Sequence, residues 1–308
     1  MPLPFVTLDV FTDRRFAGNP LAVVFGGEGL DTAQMQAIAG EFNLSETVFV
    51  MPPEREVHAA RIRIFTPRNE LPFAGHPTVG TAIAIAQKRA ADAGADLSPS
   101  LIVMEAKIGL LRVGVRGGVG AAPFAEFDLP KLPDVEAGGD GALDHEAIAT
   151  ALGLISSDLG CQNHTPVRAD AGVPYTFVPV QSVETLAKIN LNLKAWSEAF
   201  GGDGHNAAFV YAKAAHPGGP DIQARMFAPD LGVTEDPATG SAVAGLSGVI
   251  RHFDRPRPGT HNYEIAQGIE MGRPSRIALS LEVADGGGLA NVRIGGQAVA
   301  VASGVLAI

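Results

Sequence analysis

Two stretches of this chain carry nearly the same text. Residues 63–67 and 75–82 read Arg-Ile-Phe-Thr-Pro and then Gly-His-Pro-Thr-Val-Gly-Thr-Ala. Residues 225–229 and 235–242 read Arg-Met-Phe-Ala-Pro and then Glu-Asp-Pro-Ala-Thr-Gly-Ser-Ala, after a loop that differs by two residues. Each copy reads as a strand, a proline-marked turn, a loop, a His-Pro or Asp-Pro step and a run of small apolar residues. An internal repeat restricts the fold before any other signal is weighed. It predicts two pseudo-symmetric halves of mixed α/β (α+β) class, each a curved sheet or barrel wrapped around one central helix. The expected boundary puts residues 1–129 in one half and 130–308 in the other, with the Pro/Gly/acidic stretch 130–141 as linker. The terminal strand is free to return to the first half.

Local pattern fills in the halves. Alternating β-branched runs predict strands over 6–11, 21–25, 46–50, 61–65, 101–105, 110–116 and 126–129. Asp31 is a good N-cap for a helix over 32–42, and Asp144 for one ending at 152. The second half predicts strands over 175–180, 207–211, 222–227, 263–267, 275–283, 290–294 and 298–302, a short helix over 183–189, and hairpin turns at Gly286-Gly287-Gly288 and Gly295-Gly296. Helices over 78–89 and 239–253 follow the two motifs and are apolar on every face at their starts, which places them in an interior.

Composition excludes several classes. The net charge of -10 among 308 residues disfavours nucleic acid and anionic membrane, both of which call for basic patches. A single cysteine, Cys161, permits no intramolecular disulfide and no cysteine-based zinc cluster. No charged n-region with an apolar core opens the chain, and no apolar run approaches the ~20 residues of a membrane span. A soluble cytoplasmic protein is expected. The histidines are scattered, so no metal site is expected, and no nucleotide-binding motif is present: Gly117-Gly118-Val119-Gly120 opens no helix.

The repeated helix starts are the strongest chemical signal. Proline is favoured at the first helical position, which would put His76 and Asp236 at or next to the N-caps. Free N–H groups and the positive dipole end make such a spot an anion site. Two copies, each with one titratable residue, are expected to face one cleft, with the small residues Gly80, Thr81, Gly240 and Ser241 letting a ligand approach. Glu46 opens the strand that leads into the first copy. It reads as a general base facing a helix start, or else as a solvated strand-edge glutamate or a capping partner for Asn43; spacing leaves these open. Asn19 sits in a Gly-Asn-Pro turn that is structural or reaches the same cleft. Arg273, in Met-Gly-Arg-Pro-Ser, is a carboxylate ligand or a surface turn residue. Ser241 lacks the Gly-x-Ser-x-Gly elbow of a serine hydrolase.

These residues also carry a resemblance. Asp9-Val10-Phe11, the run 16–23, Leu44-Ser45-Glu46-Thr47, the run 73–78, the run 235–242 and Gln267-Gly268 through Ser275 resemble, in order, the phenazine-biosynthesis PhzF-like family. The resemblance implies the diaminopimelate-epimerase-like fold, with an active site between two similar halves, and a cofactor-independent isomerase acting on a small carboxylate. It implies catalytic roles for Glu46, His76 and Asp236, with Glu46 transferring the proton. It also implies substrate contacts at Asn19, Gly75, Thr78, Gly240, Ser241 and Arg273. The thiol racemases of that fold carry a cysteine at each helix start; here His76 and Asp236 stand there and Cys161 lies outside both motifs. The expected partner is a small-molecule carboxylate, with no nucleic acid and no membrane, and a homodimer is open to such a chain. The alternatives are a carboxylate-binding or regulatory protein on the same scaffold without turnover, and a hydrolase using Ser241.

Overall fold

A computed structural model of the protein describes residues 2–118, 120–136, 143–201, 206–214 and 218–307. The chain divides into two compact units, one of residues Met1–Asp128 with Gly295–Ile308 and one of residues Leu129–Ile294. Of the expected linker, residues 137–141 lie outside the described residues.

Unit 1 contains β1 (Leu3–Val10), β2 (Asn19–Phe25), α1 (Thr32–Phe42), β3 (Glu46–Met51), β4 (Ala60–Phe65), β5 (Glu70–Leu71), α2 (Gly75–Asp92), β6 (Ser100–Ala106), β7 (Gly109–Gly118) and β8 (Ala121–Asp128). Unit 2 contains β9 (Asp134–Val135), α3 (His145–Leu152), β10 (Val167–Asp170), β11 (Pro174–Pro179), α4 (Val183–Ala187), α5 (Leu193–Phe200), β12 (Ala208–Lys213), β13 (Ile222–Ala228), β14 (Val233–Asp236), α6 (Gly240–Asp254), β15 (Gly259–Gln267) and β16 (Ser275–Val283). The last strand, β17 (Leu289–Leu306), begins in unit 2 and ends in unit 1.

In unit 1 the pairing β1–β2–β3–β4–β6–β7–β8–β17–β1 closes on itself as an eight-strand barrel. Closure leaves those strands no bare edge. Alternation sets which side chains face in: Ile62 and Ile64 of β4 are buried while Arg61 and Arg63 are half-buried. Helix α2 packs against β1, β2, β3, β6, β7 and β8, and its first twelve residues are all buried. It is the barrel's core. Gly80 fits the helix to the wall: a Cβ there would lie 2.6 Å from Leu21 and 2.7 Å from Val10. That glycine serves packing, where the sequence suggested ligand access. Outside the barrel, α1 covers Phe49, Met51 and Phe65 with Met35 and Ala39.

Unit 2 repeats the plan. Strands β11 and β12 are parallel, as are β2 and β3, and both pairs continue into antiparallel hairpins, β12–β13–β14 and β3–β4–β5. Helix α6 packs against β9, β10, β11 and β16. A Cβ at Gly245 would meet Phe177 at 2.6 Å and one at Gly248 would meet Val135 at 2.9 Å. The outer layer is α3, α4 and α5, centred on Trp196, whose ring lies tilted against Phe200 with centroids 4.3 Å apart. Helix α5, capped by Asn192, is absent from the sequence reading. Gly295-Gly296 is not a turn; β17 runs straight through it. Glycine is required at 295 because a Cβ would lie 2.8 Å from Ala125 O.

Candidate active site

Unit 1 brings several of the expected residues to one place. Parallel pairing of β2 and β3 sets Leu21 opposite Glu46, so Asn19 and Glu46 lie at the same end of the barrel wall. The start of α2 brings His76 to that end. Asn19 is fully buried and His76 is 5 % exposed. Glu46 Oε2 and His76 Nε2 are 3.1 Å apart. They are off the line of a hydrogen bond, and among the described residues neither atom has another partner. A buried donor and acceptor left unspent in this way require a reason. The neighbouring turn is tightly wound: Asp9 accepts the Phe16 N–H at 2.6 Å, and Phe16 and Gly18 both hold φ of 66°.

The two helix starts differ from the sequence expectation in one respect. Neither proline stands at the first helical position. The N-cap of α2 is Ala74, so Gly75, His76 and Pro77 are its first three residues. The N-cap of α6 is Thr239, so Asp236 ends β14 three residues earlier. Pro77 is tolerated because the first four helical N–H groups have no intrahelical acceptor anyway. The starts share a second feature that sequence did not disclose. Helices α1, α3, α4 and α5 are capped by Asp31, Asp144, Ser182 and Asn192 side chains. The central helices α2 and α6 have no side-chain cap hydrogen bond. Their leading N–H groups are the ones left for a ligand.

In unit 2, Asp236 and the start of α6 are tied by a buried glutamine. Gln267 Oε1 accepts the Thr239 N–H at 3.0 Å, and Gln267 Nε2 donates to Asp236 O at 2.7 Å and to Thr239 Oγ1 at 3.0 Å. Thr239 Oγ1 in turn donates to the Asp236 carboxylate. Ser241, the second residue of α6, lies 2.8 Å from the buried Tyr175 hydroxyl. Sequence gave no sign of Tyr175, because it comes from β11, over sixty residues away. Arg273 closes a turn on Gly268 O through its N–H, so its backbone is fixed beside the Asp236 loop. Gly240 heads α6 as Gly75 heads α2. Thr78 is buried, with its hydroxyl donating to Ala74 O at 2.8 Å, and is spent on its own helix.

Each unit also carries a forked ion pair in front of its motif. Arg63 donates to Glu70 at 2.8 and 2.9 Å, and Arg225 donates to Glu235 at 2.8 and 2.9 Å. Hydrogen bonding from Arg63 holds the Glu70 carboxyl below its ordinary range. The forks pin each strand to the short strand that leads to the helix start. Cys161 belongs to neither motif. Burial pushes its thiol up, leaving little thiolate, and it pairs in a short bridge with His164.

The chain is similar to known proteins over nearly its whole length. The family model described as phenazine biosynthesis-like protein matches residues 8–304. An uncharacterized isomerase of Mesorhizobium japonicum is 50 % identical, over 99 % of this chain and 98 % of its own. The trans-2,3-dihydro-3-hydroxyanthranilate isomerase of Pseudomonas aeruginosa is 35 % identical over 97 % and 98 %. The crystal structure of a PhzF-family phenazine biosynthesis protein from Bacillus anthracis superposes with a TM-score of 0.86 at 23 % identity, covering all of both chains.

Proposed function

The chain belongs to the phenazine biosynthesis-like family and is an isomerase, and from that premise we propose that it moves a proton between carbons of a small carboxylate without a cofactor. The observation that carries this reading is the buried Glu46–His76 pair at the uncapped start of α2. The Glu46 carboxylate takes a proton from a saturated ring or chain carbon. The electron pair left behind spreads into the conjugated carboxylate, and helix N–H groups hold that developing charge. Glu46 then returns the proton to a different carbon, so nothing is gained or lost overall. His76, 3.1 Å from Glu46, orients that carboxylate or relays its proton. Asn19 and Gly75 take part in binding the same substrate. The substrate class we propose is a dihydro-hydroxyanthranilate-like acid, after the Pseudomonas aeruginosa relative.

Glu46→Gln keeps size and polarity but removes the base. It is expected to lower kcat by roughly 10²–10⁴-fold, the usual worth of a positioned acid or base. Binding of a carboxylate ligand is expected to survive. Turnover of dihydro-hydroxyanthranilate analogues in heavy water, followed by mass spectrometry, measures both rate and deuterium uptake. Unchanged turnover in the variant removes Glu46 from the reaction. A parent protein that binds these acids tightly yet never converts them favours the binding-protein alternative.

A further inference from the structure

The forked ion pair occurs twice, but its two copies have different surroundings. In unit 2, Arg225 is 8 % exposed, and its remaining Nη1 donates to Leu186 O at 3.1 Å and Ile189 O at 3.2 Å. Those carbonyls lie at the C-terminal end of α4 and just beyond it. The crossover from β11 to β12, residues 180–207, thus lays a helix end over the fork. The matching crossover from β2 to β3 in unit 1 is shorter, residues 26–45, and holds one α-helix. Arg63 Nη2 reaches Thr32 Oγ1 on that helix at 3.0 Å, but Arg63 Nη1 has no hydrogen-bond partner among the described residues. In front of the Arg63 fork lies a cavity of about 650 Å³.

The cavity lining mixes glutamates with arginines and a lysine, but the two are unequally paired. Its acids are mostly spent internally. Glu70 takes the Arg63 fork. Glu105 accepts His58 Nδ1 at 2.6 Å and the N–H groups of Glu54 and Arg55 at 2.7 and 3.1 Å, and Glu54 accepts from Arg61 at 3.1 Å. Glu28 remains, exposed at the rim. Two of the arginine donors are not spent. Besides Arg63 Nη1, the buried Arg61 Nε has no partner, and Lys107 also lines the cavity. Met35, Met51 and Leu110 supply an apolar side. A volume of this size suits a small molecule, and a few placed polar groups on an apolar lining are the usual form of such a site.

We propose that this cavity is a second ligand site, separate from Glu46 and His76, for a small carboxylate with an apolar body. The ligand's carboxylate oxygens take the Arg63 Nη1 donor, as the α4 carbonyls take Arg225 Nη1 in unit 2, and Arg61 and Lys107 on the cavity lining add positive charge. Its apolar body lies on Met35, Met51 and Leu110. The inference does not depend on the proposed reaction.

Titration of the full chain with benzoate, followed by calorimetry and by chemical-shift mapping, tests it. Saturable binding near millimolar Kd is expected, a scale of about -4 kcal/mol, with shifts centred on Arg61, Arg63 and Leu110. Arg61→Gln should weaken binding at least tenfold. Leu110→Trp, which fills the half-exposed rim without touching the ion pairs, should do the same. Glu46→Gln should leave it unchanged, and neutral methyl benzoate should bind at least tenfold more weakly than benzoate. Absence of saturable binding overturns the proposal. So does binding that is kept at full strength in both Arg61→Gln and Leu110→Trp, since benzoate would then sit elsewhere on the chain.

Discussion

A methyl group on Gly268 would lie 2.5 Å from Arg273 O and 2.6 Å from Pro237 O, and the residue's φ is +74°. Both facts act on the loop that carries Asp236. Gly268→Ala must leave the left-handed region or push Pro237 away, and a side chain held there costs on the order of 1–3 kcal/mol. The expected outcome is a lower urea midpoint with an unchanged slope, and a fall in turnover larger than the change in stability predicts. At this scale sequence reading recovered residue types better than their positions. The Gln-Gly step and Asp236 were both visible as motif. That Gln267 bonds the Thr239 N–H and Asp236 O was not, because the side chain returns from a strand some thirty residues on. Helix-start statistics placed proline first, whereas Pro77 is third in α2 and Pro237 lies outside α6.

Among the elements, the β4–β5 hairpin depends on the Arg63–Glu70 fork, whose side chains are 26 % and 21 % exposed. Glu70 titrates below its ordinary range because Arg63 hydrogen-bonds its charged form. The folded value is depressed, so the contribution is complete above the unfolded carboxylate pKa of about 4.3 and fades as pH falls through the folded value. Glu70→Gln should therefore cost on the order of 1 kcal/mol at neutral pH. The gap between parent and variant should shrink as pH falls below the unfolded value and close once pH has passed through the depressed folded value. Denaturation midpoints across that pH range measure it, and a gap that persists at acid pH would separate the effect from the ion pair. Strands with alternating β-branched residues and helices with an acidic cap were legible in sequence. Helix α5 was not, because Leu-Asn-Leu-Lys at its start alternates like a strand while Trp196 and Phe200 hold it in the core.

For the whole chain, the informative strand is the last. β17 runs eighteen residues, and from Ala298 to Leu306 it pairs with β1 in the register Leu3 to Leu306 through Val10 to Ala298, while also pairing with β8. No periodicity reveals such a partner, because the contact joins opposite ends of the sequence. Removing residues 297–308 deletes one wall of an eight-strand barrel. β1 then becomes an open edge, and the buried Leu8, Val10 and α2 lose the sheet closed around them. The strands β10 to β13 and the core at Trp196 keep all their partners, since these come from residues within unit 2. Hydrogen exchange on the truncated chain should show loss of protection across β1, β2 and α2, with protection kept in β11, β12 and β13. Turnover should vanish, because Glu46 and His76 are held by the opened barrel. Equal loss of protection in both sets would show that the two units fold only as one cooperative body. Retained protection in β1 and α2 would mean that barrel closure contributes little to holding α2 in place.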